Sequence, residues 1–145
     1  MNLRSLAILA SFAVISLVQS SADACGVPQP EDTIARHFDA LNAHDRARLL
    51  SQWNDGATVV SLGDPMLIEP VSTAASRWVQ TKEPVTFHVD KIDEGEGTAT
   101  AHVTVNFEGR KLEDTMLLTS VHGAWHIAGK TSRVIQTTGR VAMRY

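Results

Sequence analysis

Apolar and polar residues alternate most regularly between Thr98 and Arg133, and this stretch predicts three antiparallel strands joined by two tight turns. Gly109-Arg110 suits a two-residue turn with glycine at its first central position, and His122-Gly123 suits another. Counting outward from the first turn pairs Phe107 with Leu112, Val105 with Asp114, Val103 with Met116 and Ala101 with Leu118. Counting from the second pairs Ser120 with Trp125, Leu118 with Ile127, Met116 with Gly129 and Asp114 with Thr131. Side chains alternate with period two along a strand, so both registers share one apolar face. It carries Val103, Val105, Phe107, Leu112, Met116, Leu118, Trp125 and Ile127, with one carboxylate, Asp114, among them. The opposite face is polar and rich in threonine, with Thr100, His102, Thr104, Glu113, Thr115, Thr119, His126 and Lys130. A sheet with one oily and one wet face requires cover on the first.

The upstream segments supply that cover. Ile34, Phe38 and Leu41 recur at helical spacing behind Pro30, Glu31 and Asp32, residues that suit a helix start. Asp45 can cap a second short helix carrying Leu49, Leu50 and Trp53, which Asn54-Asp55-Gly56 ends. Ala57 to Leu62 reads as a strand, Gly63-Asp64-Pro65 as a turn and Met66 to Glu69 as a short return strand. A third helix runs from Val71 to about Thr81, bearing Ala74, Ala75 and Trp78, and Pro84 forbids its continuation. A long strand follows to Glu94. A three-residue loop, Gly95-Glu96-Gly97 with Gly97 left-handed, would pair Val89 with Val103 and Phe87 with Val105. A two-residue loop would set valines against histidines. The order is helix, helix, short hairpin, helix and four-strand meander, an α+β domain.

The 145 residues bound the chain to one domain. Met1 to Ala24 reads as a signal peptide: Arg4, an apolar run from Leu6 to Val18, and an A-x-A site at Ala22-Asp23-Ala24. The run is short for a membrane span. The expectation is an exported protein, periplasmic or secreted, whose domain is residues 25–145. Cys25, the single cysteine, permits no intramolecular disulfide, and the acid at Asp23 argues against its lipidation. A net charge of −3 without a basic run disfavours nucleic-acid binding.

Three stretches carry a family resemblance: Asn54-Asp55-Gly56-Ala57-Thr58-Val59-Val60, Ser76-Arg77-Trp78-Val79, and the closing hairpin. In the hairpin, Leu112-Glu113-Asp114-Thr115-Met116-Leu117-Leu118 precedes Gly123-Ala124-Trp125-His126-Ile127 and Lys130. In order and spacing the chain resembles the NTF2-like superfamily, in its SnoaL- and ketosteroid-isomerase-like bacterial branch described as "putative lumazine-binding". The resemblance implies a cone in which three N-terminal helices pack on a strongly curved antiparallel sheet, with a pocket at the wide end. It also implies dimerisation through the outer sheet face in many members. The superfamily holds isomerases, dehydratases and non-catalytic binders, so fold alone does not choose the function.

Asp114 is the sharpest single residue, because an acid on an apolar face must be paired, hydrogen-bonded or wet. It can anchor a ligand or act as a general base, or it can be a structural acid bonded to Trp125, Thr131, His37 or a backbone amide. The resemblance adds an acid/base dyad of Asp114 with His37 as the enzymatic alternative, an isomerase or dehydratase. Trp78 and Trp125, with Met116, Phe38 and Thr131, are the expected ligand-binding residues, the rings stacking on a flat or apolar molecule. In a domain this small the plain alternative is that they are core. His88, Asp90 and His102 fall together on the outer face but lack the rest of a zinc signature, so no metal and no cofactor are expected. No nucleophile elbow, P-loop or dinucleotide fingerprint is present in the sequence. The reading is a small-ligand binder that forms a homodimer, with an interaction or scaffold module as a further alternative.

Overall fold

A computed structural model describes residues 26–137. The expected signal peptide and Cys25 lie outside the described residues. Helix α1 (Pro30–Asn42) starts on proline, and the Gln29 backbone N–H donates to Asp32 Oδ2 at 3.1 Å. At its far end the Asn42 side chain donates to Val85 O at 2.9 Å and accepts the Val85 N–H at 2.8 Å. The residue that breaks the helix therefore also anchors the entry to a strand. Helix α2 (Arg46–Leu50) is capped by Asp45, whose Oδ1 accepts the Arg48 N–H at 2.9 Å. Helix α3 spans Val71–Trp78. Among the described residues no helix is long and apolar enough to cross a membrane.

The strands are β1 (Trp53–Leu62), β2 (Leu67–Pro70), β3 (Thr86–Glu94), β4 (Thr98–Phe107), β5 (Arg110–Val121) and β6 (Ala124–Thr137). They form one sheet in the order β2-β1-β6-β5-β4-β3, antiparallel except where β1 runs parallel to β6. The sheet curves without closing, and the helices fill its concave side. Ile34, Phe38 and Leu49 from the helices meet Val59, Val103, Met116, Leu118 and Ile127 from the sheet, all fully buried. Trp53, expected on the second helix, instead opens β1 opposite Ile127. The Ile127 N–H donates to Gln52 O at 2.8 Å, so the edge of β6 takes up the chain as soon as α2 ends.

Three register details differ from expectation. The β4–β5 turn is Glu108-Gly109, with φ of 47° and 70°, the same left-handed pair as His122-Gly123 at 53° and 78°. Pairing there is Val105 with Leu112, Val103 with Asp114 and Ala101 with Met116, two residues from the expected register. An even slip leaves every side chain on its expected face. In the β3–β4 hairpin the turn is tighter than expected, with the Gly95 N–H on Thr98 O at 2.8 Å, and an extra residue at Asp90 restores Val89 opposite Val103. That bulge places Lys91, rather than Asp90, opposite His102, and Asp90 accepts from Thr104 Oγ1 at 2.7 Å. Among the described residues no cluster of three metal-ligating side chains forms.

The third difference matters most. Pairing of β5 with β6 follows expectation as far as Leu118 opposite Ile127, and then Ala128 is left over as a bulge. Beyond it Met116 pairs with Lys130, Thr115 with Thr131 and Asp114 with Ser132. Lys130 and Ser132 thus turn to the concave face, and Thr131 to the outer one.

Candidate functional site

Between the helices and the far half of the sheet lies a cavity of about 630 Å³. Phe38 and Leu41 of α1, Val59 of β1, Val105 and Phe107 of β4 and Leu112 of β5 give it apolar walls. Its polar side chains are His37, Ser61, Arg77, Glu108, Arg110, Asp114, Lys130 and Ser132. Phe38 is held in place by stacking on Phe87 at 4.4 Å between centroids.

At the cavity wall the bulge in β6 brings three side chains together. Asp114 is fully buried; its Oδ2 accepts from Lys130 Nζ at 3.0 Å and its Oδ1 from Ser132 Oγ. Lys130 Nζ also lies 4.2 Å from the centroid of the Trp78 ring, over its face. The carboxylate has a counter-charge and a hydroxyl, which is what a buried acid requires. Each oxygen thus accepts one hydrogen bond, and Asp114 is ion-paired with Lys130.

His37 sits beside this cluster, fully buried. The Trp53 Nε1–H donates to its Nδ1 at 3.2 Å, so the neutral ring carries its proton on Nε2. Burial, and then the charge of Lys130, lower its pKa from 6.5 to about 3. The ring is therefore a neutral donor. Nε2 is buried and has no hydrogen-bond partner among the described residues. An orphaned donor costs about 1–3 kcal/mol, which a fold keeps only where something offsets it. His37 and Asp114 thus bond elsewhere and form no dyad with each other.

Arg77 of α3 reaches back to Glu69 of β2 in a two-point pair, Nη1 on Oε2 at 2.6 Å and Nη2 on Oε1. Arg77 holds the Glu69 carboxyl below its ordinary value, and Glu69 raises the guanidinium. Near the β4–β5 turn, Arg110 and Glu108 lie 3.9 Å apart. Each cation lining the cavity accordingly has a carboxylate of its own.

Of the residues expected to bind a ligand, Asp114, Trp78 and Phe38 line the cavity. Trp125, Met116 and Thr131 do not. Trp125 Nε1 donates to Pro28 O at 3.1 Å and its carbonyl accepts from Thr33 Oγ1 at 3.0 Å, which fastens β6 to the start of α1. Met116 is core, and Thr131 faces outward beyond the bulge. Lys130, Ser132 and Arg77 escaped the sequence reading of the site. Gly129, an isolated glycine inside a strand, is the signal that could have placed the bulge, and the lone acid at Asp114 called for a cation within reach.

The family model described as "Putative lumazine-binding" matches residues 30–133. The chain belongs to this NTF2-like family. Solved structures agree on the fold. An NTF2-like protein of unknown function from Shewanella baltica OS155 superposes with a TM-score of 0.67 at 14% identity, covering 74% of this chain and 92% of that one. One from Methylobacillus flagellatus KT gives 0.65 at 19%, covering 74% and 90%. One from Silicibacter pomeroyi DSS-3 gives 0.66 at 16%, covering 72% and 91%. No functionally curated protein matches the chain. Members of the family thus share the scaffold with this chain, while the cluster of His37, Lys130, Asp114 and Ser132 is read from its own residues.

Proposed function

We propose that this chain is an exported, non-catalytic binder that holds a small, largely apolar molecule in its cavity and works as a homodimer joined through the outer sheet face. The cavity carries the reading: about 630 Å³, apolar walls and a few buried polar groups are the features of a small-molecule site. The family description points the same way in naming a small ligand. The engagement of both Asp114 oxygens favours binding over an isomerase or dehydratase reaction. Export rests on the leader-like start, and the dimer on the mixed, threonine-rich outer face, where Leu117 is exposed.

Native mass spectrometry of mature protein from its own host's export pathway tests the reading. The expected spectrum shows a dimer carrying a passenger of about a few hundred daltons, the size such a cavity encloses. Thr104→Glu should split the dimer in the same measurement. A clean apo dimer would overturn ligand holding and leave an interaction module in its place.

A further inference from the structure

Apolar side chains that line the cavity reach the surface at its mouth. Leu62 of β1, Leu67 of β2 and Val134 of β6 are lining residues, yet they are 43%, 45% and 45% exposed. Their chain neighbours Met66 and Ile135 are exposed as well. Leu62 pairs with Arg133, next to Val134, and Phe107 continues the same lip on β4. Single exposed leucines need no explanation, but an apolar set gathered at one mouth does. The chain itself leads to this place. β6 ends with Thr137 opposite Arg110, a lining residue, so the segment 138–145 sets out from the rim. Residues ahead of α1 depart from the opposite end of β6, where Trp125 Nε1 donates to Pro28 O.

The composition of that segment suits the place. Val141, Met143 and Tyr145 alternate with Arg140, Ala142 and Arg144, so an extended course has one apolar edge and one basic edge. Gly139 precedes this run and permits the chain to reverse. Extended, 138–145 spans about 26 Å, whereas the neighbouring strands β2-β1-β6-β5-β4 cover about 19 Å at about 4.8 Å per step. Exposed acids stand at two points of the lip, Asp64 between the lining residues Gly63 and Pro65, and Glu108 after Phe107. They suit a segment that carries Arg140 and Arg144 better than an anionic membrane surface. We propose that the segment 138–145 lies across the mouth with Val141 and Met143 on the apolar lip, so that an entering molecule must displace it. The proposal rests on the small-ligand reading above and adds what controls entry to the site. The cavity then has a built-in competitor, and its apparent affinity falls with the fraction of molecules that are open.

Two measurements on the full mature chain test this. With the photo-crosslinking residue p-benzoylphenylalanine in place of Met143, irradiation should join that position to Leu62, Leu67, Phe107 or Val134 of the same chain, as read by peptide mapping at single-chain mass. Crosslinks away from the lip would overturn the proposal, and crosslinks at the mass of two chains would overturn it in favour of a second copy. For entry, equilibrium dialysis with N-phenyl-1-naphthylamine, an uncharged apolar probe, compares wild-type protein with the double variant Val141→Ser, Met143→Ser. The variant should bind about tenfold more tightly, the change expected when about one wild-type molecule in ten is open. Should the variant fail to fold, the crosslink still decides. Equal binding by both forms would overturn the competitor and leave the small-ligand reading standing. Binding of the probe to neither form would overturn the small-ligand reading, and the control of entry with it. Flotation of the wild-type chain with phosphatidylcholine vesicles would overturn the proposal by giving the lip to a membrane.

Discussion

Asp114 and Lys130 sit together with almost no access to water, and each is tolerable there only because of the other. Removing one partner of such a pair leaves a buried charge, whereas replacing both with apolar groups leaves none. Asp114→Asn is therefore expected to cost about 3–5 kcal/mol of stability, and the double variant Asp114→Leu, Lys130→Met to recover most of it. Urea unfolding of Asp114→Asn and of the double variant checks this. Equal losses in single and double variants would show that packing, rather than charge, holds the cluster. The sequence made Asp114 conspicuous, since an acid on an apolar face is an anomaly with few resolutions. It did not reveal the partner, because a straight β6 would have pointed Lys130 to the outside.

Ala128 is the element-scale cause of that difference. As the extra residue in β6 it lets Leu118 face Ile127 and yet Met116 face Lys130, so the strand changes register by one and the lysine changes side. Without it, Gly129 would follow Ile127 directly, and Lys130 would still reach Met116 in an unbroken ladder. Deleting Ala128 should accordingly keep the Asp114–Lys130 pair and cost less stability than Asp114→Asn, while reducing the local bend and weakening binding in the cavity. Paired urea and dialysis measurements test this; a loss as large as that of Asp114→Asn would show that the bulge itself supports the fold. The turns teach a related lesson. His122-Gly123 and Glu108-Gly109 follow one pattern, a left-handed residue before a left-handed glycine, and reading the first as glycine-second but the other as glycine-first produced the two-residue slip. Faces survived because hydrophobic alternation fixes parity, and parity is insensitive to even errors.

For the molecule as a whole, alternation and helix stops were enough to give element order and the covered face, since both follow from local residue patterns. The parallel β1–β6 pairing and the cavity's contents are long-range outcomes of curvature that no local pattern announces, whereas the β6 bulge leaves one local trace, the isolated Gly129. Acid stability is likewise a property of the whole domain. His37 has a folded pKa near 3 against 6.5 for the free side chain, so the unfolded chain binds the proton first. Its contribution is complete above pH 6.5 and is lost as the pH falls toward 3, at up to about 1.4 kcal/mol per pH unit. Glu69, lowered from 4.5, adds its own loss only below that value. Between pH 6.5 and 4.5 wild-type protein should lose roughly 2–3 kcal/mol and His37→Phe much less, as read by urea midpoints. A parallel decline in the variant would assign the slope to other groups. The three tryptophans are unevenly placed in this architecture: Trp53 and Trp78 lie 6.0 Å apart around His37 and Lys130, while Trp125 is tied to the start of α1. Of the three tryptophans, Trp78 therefore lines the cavity under a cation and Trp53 stands behind His37, so the colour and yield of the tryptophan emission register what enters it without any added dye.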